Sequence, residues 1–165
     1  MESKNLVDIP EYDNYKFDLD LLQVYNIKTN KYLKNHLCKS THYYRICLSK
    51  NSKKKSFGIH QLVYLINNPT EDLTNFDIDH IDGNRLNNNI ENLRKATRSE
   101  NQCNTPQNKN NTSGYKNIYK SKYGYIFQLK KNGIRYNKHF KTLQETIDYR
   151  DKIVLEKCGE FGCVD

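Results

Sequence analysis

Residues 78–102 read IDHIDGNRLNNNIENLRKATRSENQ. The apolar-flanked FDIDHI (76–81) predicts a strand, and NLRKA (92–96) predicts a second. Asp82-Gly83-Asn84 between them is a turn signal, because Gly and Asn tolerate positive φ. Thr97 stands three residues before Glu100, and Ser99 three before Gln102, each a capping-box spacing. A helix is therefore expected to open near 97–99 and to stop before Pro106. The local order is strand, long loop, strand, helix, with one imidazole, a carboxylate and several amides in it.

Those side chains suit phosphodiester hydrolysis, which needs a base for water and a cation for the developing charge. His80 is the candidate base, since a free imidazole as a class changes charge near neutral pH. Asp79 can hold a hard cation, and Asn101, one turn into the helix, can add a neutral oxygen. Asn92, just before the second strand, can pin the loop backbone. On a regular strand Asp79 and His80 point to opposite faces, which leaves their joint geometry open.

The surrounding chain has 165 residues, 36% hydrophobic and 28% charged, with a net charge of +8. Its mean hydropathy of −0.95 argues against one large core and for several small modules. Charge is segregated: residues 27–58 carry net +9 and 108–165 net +6, while 59–107 carry net −3. Basic flanks around a mildly acidic centre suit a polyanion gripped around a cation site. No membrane-length apolar run and no signal-peptide pattern in residues 1–10 occur, so a soluble intracellular protein is expected. The five Cys form no C-x-x-C pair, so free thiols in a reducing compartment are expected and no zinc.

Before the motif, 21–26, 43–50 and 53–59 predict strands, and HQLVYLI (60–66) a short buried helix in which His60 is a packing or capping residue. After it, 105–113 reads as a polar linker. Strands are then expected at 115–120, 125–131 and 134–140, the last two joined by Asn132-Gly133. Thr142 and Glu145 predict the start of a final helix with Ile147, Ile153 and Val154 facing the sheet. Alternation separates Tyr125, Phe127 and Leu129 from Ile126, Gln128 and Lys130.

DHIDGNRLNNNIENLRKATRSENQCN closely resembles the HNH endonuclease motif in the variant of phage, intron and viral homing endonucleases. The resemblance implies an α+β chain with a ββα-metal nuclease core at 59–107, behind an N-terminal β-rich module at 1–58. It implies that Asp79 and Asn101 are metal ligands, His80 the general base and Asn92 the central Asn. The cofactor implied is one divalent ion, Mg²⁺ or else Mn²⁺. After the linker at 108–113, NTSGYKNIYKSKYGYIFQLKKNGIRYNKHFKTLQETIDYRDKIVLEKCGEFG is similar to the Apetala-type (ethylene-response) DNA-binding domain. That likeness implies a three-stranded sheet packed on one helix at 114–165.

Duplex DNA is the partner expected on this reading, bound by a monomer, with no membrane and no small-molecule substrate. Arg45, Lys53, Lys54, Lys55, Arg94, Arg98, Lys116, Lys120, Lys122, Gln128, Lys130 and Arg135 are the candidate DNA contacts. In a virus the setting would be host cytoplasm or nucleus. The alternative is a DNA-binding regulatory protein with an inactive centre.

Overall fold

The structure is a computed structural model that describes residues 5–108 and 110–163. The ends of the first and last expected modules, and residue 109 of the expected linker, lie outside the described residues. The chain divides into two compact units, residues 1–74 with 80–95, and residues 75–79 with 96–165.

In the first unit, β1 (Leu6–Asp8), β2 (Tyr15–Asp18), β3 (Gln23–Asn26) and β4 (Lys31–Tyr32) form an antiparallel meander. Phe17 and Val24 face each other across β2 and β3 and are fully buried. Asp18 is buried as well, and its carboxylate accepts the Tyr32 hydroxyl and the N–H groups of Asp20 and Leu21. Those bonds offset the cost of removing a charge from water. Sequence reading found only β3 of this sheet, because the other strands are short and interrupted by charge.

A second sheet runs β5 (His36–Leu37), β6 (Tyr44–Lys50), β7 (Lys53–Gly58). Ile46 and Leu48 point inward, leaving Arg45 on the opposite face as the alternation predicts. β7 runs directly into α1 (Ile59–Asn67). Gly58 caps this helix, its N–H donating to the Gln61 side chain at 2.9 Å. Ile59, Leu62, Val63 and Tyr64 are the buried stripe of α1.

β8 (Asp77–His80) and β9 (Leu93–Ala96) form a two-stranded sheet, followed by α2 (Arg98–Cys103). The strand–loop–strand–helix order is thus as expected. Thr97 and Glu100 form the capping box. Ser99 and Gln102 do not: Ser99 Oγ instead accepts the Asn132 N–H at 3.1 Å.

The second unit holds α2 and an antiparallel sheet of β10 (Ile118–Ser121), β11 (Gly124–Lys131) and β12 (Ile134–Phe140), backed by α3 (Leu143–Cys158). Asn132 and Gly133 both have positive φ, 51° and 82°, as a two-residue hairpin turn demands. Phe127 and Leu129 pack with Ile153 and Val154 in the core. Ile147 is only half-buried, and Thr146 and Arg150 share the buried face of α3 instead. Arg150 lies over the Tyr115 ring, 5.5 Å from its centroid.

One expectation fails. Cys103 and Cys158 are joined by a disulfide rather than standing as free thiols. The ends of α2 and α3 meet in one core with the two Cα atoms 6.1 Å apart, a proximity that 55 residues of sequence separation conceal. Cys38 and Cys47 remain thiols.

Candidate active site

The loop after β8 is built almost entirely by amides and one carboxylate. The Gly83 N–H donates to the His80 carbonyl at 2.8 Å, and Gly83 adopts φ +70°, closing the turn. Asp82 then gathers the loop, accepting the Asn84 N–H and the side-chain amides of Asn87 and Asn92 at 2.8–2.9 Å. Burial pushes the Asp82 carboxyl up, but these donors hold it below its ordinary value. Asn92 accepts the Asp82 N–H at 3.0 Å and donates to Asp82 Oδ1 and to the Asn87 carbonyl, both at 2.9 Å. It therefore ties the two ends of the loop together, as a loop-pinning Asn should.

His80 closes β8 and is 3% exposed. Its Nε2 lies 3.1 Å from Oδ1 of Asn88, itself buried. The Tyr43 ring stacks on the imidazole at 5.7 Å between centroids, and the His60 ring lies 5.2 Å away. His60 is buried, its Nδ1 makes no hydrogen bond, and its pKa is lowered to about 3. Burial is the main cause, followed by the charges of His80 and Arg45. His60 is thus a neutral ring packed beside His80. Arg85 covers the other ring of this stack, its guanidinium 5.1 Å from the Tyr43 centroid and its Nη1 donating to the Thr41 carbonyl at 3.0 Å. Sequence reading passed over Asn88, Tyr43 and Arg85, which only the folded loop brings to the imidazole.

In the second unit Asp79 is 5% exposed, and the Asn104 amide donates to both its carboxylate oxygens at 3.1 Å. Asn104, also buried, is the C-terminal cap of α2. Asn101, on the same helix, donates to Asp77 Oδ2 at 3.2 Å. Carboxylate and amide oxygens are the donors that a hard cation such as Mg²⁺ or Mn²⁺ takes, but here Asn101 bonds Asp77 and Asn104 turns its amide nitrogen to Asp79. No group of three or more His, Cys, Asp or Glu suited to a metal occurs among the described residues. Asn104 was not anticipated, because one Asn in an Asn-rich run carries no local signal of burial.

The candidate DNA contacts sort by register. On β6–β7, Lys53, Lys54 and Lys55 are exposed, and Arg45 bonds Ser56 through Nε at 2.9 Å. Arg98 is exposed at the start of α2, and Arg94 is half-buried on β9. On the sheet of the second unit, Gln128 pairs with Asn137 and Lys130 with Arg135, all exposed on the face away from α3. Lys120 is exposed but pairs with Tyr125, which puts it in register with the α3-facing side. Lys122 lies in the hairpin turn over Tyr123. Lys116 differs from the rest: it is buried, and its Nζ donates to the Cys103 carbonyl.

Residues 57–103 match the model of a family described as HNH endonuclease. The chain is 38% identical over 125 residues to an uncharacterized HNH endonuclease, L245, of Acanthamoeba polyphaga mimivirus, spanning 74% of this chain and 33% of that protein. It is 38% identical to the DNA endonuclease I-HmuI of Bacillus phage SP01, over 57% of this chain and 53% of the relative. Protein 3.8 of Escherichia phage T7 is 36% identical over 52% of this chain and 72% of its own length. A solved structure describing DNA binding and cleavage by the HNH homing endonuclease I-HmuI superposes with a TM-score of 0.50 at 34% identity, covering 59% of this chain and 55% of that one. The chain thus spans a third to a half of the two endonucleases named among these relatives.

Proposed function

This chain belongs to the HNH endonuclease family, and from that membership we propose that it is a metal-dependent DNA endonuclease of the homing type. The observation that carries the reading is the buried His80 imidazole, held at Nε2 by Asn88 beside a loop clasped by Asn92. His80 takes the proton of a water, which attacks phosphorus in line with the departing 3′ oxygen. Products with a 5′-phosphate and a 3′-hydroxyl follow from that direction of attack. Asn92 keeps the loop closed, so that the imidazole does not drift.

Asp79 and Asn101 are the proposed ligands of one divalent ion, with Mg²⁺ the first choice and Mn²⁺ the second. Bound there, such an ion would supply Lewis-acid stabilisation of the leaving oxygen. Arg94 and Arg98 are proposed to hold neighbouring phosphates. Arg45 with Lys53, Lys54 and Lys55 would track the backbone of duplex DNA on one flank.

The three strands and helix of the second unit are proposed as an Apetala-type module that lays its open face on the other flank. Lys130 and Arg135 stand directly opposite each other on that face. Like charges at such a pair cost stability unless an anion lies over them, which supports a phosphate-facing role.

The test is conversion of supercoiled plasmid with Mg²⁺, with Mn²⁺ and with EDTA, using wild type beside His80→Ala. Metal-dependent nicking or linearisation that disappears in the variant is expected. Tight DNA binding without cleavage in any metal would replace this reading with an inactive, regulatory centre.

A further inference from the structure

We propose that the open face of the β10–β12 sheet reads base edges in the major groove of duplex DNA, with the side-chain amides of Gln128 and Asn137 selecting adjacent A·T pairs. The inference rests on the proposed DNA partner and deepens it: Lys130 and Arg135 grip phosphate, while the two amides choose the sequence.

Register decides which side chains share this face. Phe127 and Leu129 point into the core, so their neighbours Gln128 and Lys130 point out. Across the hairpin Gln128 stands opposite Asn137, Lys130 opposite Arg135 and Ile126 opposite His139, with Tyr119 beside Ile126 on β10. All of these but Ile126 are exposed. No carboxylate stands at any register position of this face. The face is therefore cationic and rich in hydrogen-bonding groups, and its partner must carry negative charge together with polar edges to read. A concavity of about 530 Å³ opens on it, with Gln128, Lys130, Arg135 and Asn137 in its lining.

Two opposed amides have a specific chemistry. An amide offers an N–H and a C=O together, which matches the N7 acceptor and N6 donor that adenine shows in the major groove. Guanine shows two acceptors there and cytosine a donor, so neither takes both halves of an amide. Gln128 and Asn137 sit side by side at the roughly 5 Å spacing of a cross-strand pair. That is close to the ~3.4 Å separation of successive bases, so each amide meets one of two neighbouring pairs. Among the described residues neither amide is held by another side chain, in contrast to His139, whose Nε2 lies 2.8 Å from Ser121 Oγ. The two-stranded ribbon of β11 and β12 also fits the major groove of B-DNA, about 12 Å wide, and not the deep, narrow groove of an RNA helix.

The experiment uses the full chain in EDTA, so that binding is measured without cleavage. Wild type selects from duplexes with a randomised segment, and affinities for the selected duplex are then compared. Enrichment of adjacent A·T pairs is expected. Replacing those pairs with G·C should weaken wild-type binding by about 10-fold or more. Replacing the selected adenines with 7-deazaadenine, which lacks only the N7 acceptor, should weaken it as well. Gln128→Ala and Asn137→Ala, both at exposed positions, are expected to erase these differences while leaving affinity for random duplex and its salt dependence unchanged. Lys130→Gln, by contrast, should weaken selected and random duplex alike. Enrichment of no sequence, or of G·C pairs, overturns the proposal. So does an A·T preference that survives in the double variant, or tighter binding of an RNA duplex of the same sequence. If wild type binds no duplex DNA, the DNA reading falls and this inference with it; if it binds DNA without preference, this inference alone falls.

Discussion

At the residue scale the two buried imidazoles of the first unit, His60 and His80, differ in their surroundings. His60 has a pKa of about 3, far below the unfolded value near 6.5, so the unfolded chain binds the extra proton as pH falls between them. Stability that is complete above pH ~6.5 should be lost towards pH ~3, by at most about 1.4 kcal/mol per pH unit. Urea unfolding at several pH values should show this slope in wild type and a flatter one in His60→Phe. Asn104 offers a second test. It donates to a buried carboxylate, so Asn104→Ala should cost about 1–3 kcal/mol in EDTA, read from the same unfolding curves. The place of His80 at the end of β8 and the loop-tying bonds of Asn92 were legible, because a strand end and an Asx turn have characteristic neighbours in sequence. The bonds of Asn88 and Asn104 were not: residues 84–104 contain seven Asn, and only burial tells these two apart.

At the element scale the hairpin of β11 and β12 carries a prediction of opposed signs. Lys130→Gln or Arg135→Gln removes a like-charge pair and should stabilise the free protein by about 0.2–1 kcal/mol. The same change should weaken DNA binding and reduce the slope of log K against log salt by about 1. A thermal melt beside a salt titration of DNA affinity checks both. The junction of β7 and α1 is equally constrained. A Cβ at Gly58 would come within 2.5 Å of the His60 ring, so Gly58→Ala should displace an imidazole that lies against His80 and depress cleavage. Turns and caps were the most readable elements, since Asn132-Gly133 and the two Thr–Glu capping boxes act within a few residues. β1 and β2 escaped notice because their partners, not their composition, make them strands. Lys116 looked like a surface charge in sequence, and only its reach to the Cys103 carbonyl shows that it holds the chain entering the last sheet.

For the whole molecule, the segregation of charge survives folding as exposed Lys53, Lys54 and Lys55 in one unit and Lys130 and Arg135 in the other. The bond between Cys103 and Cys158 has a further, topological meaning. It makes the chain between them a covalent ring that begins at the end of α2 and includes the polar segment 105–113 before closing at the end of α3. A protease that cuts once within that segment opens the ring without parting the protein. The nicked product should run as one species on a denaturing gel and separate into two fragments only after reduction.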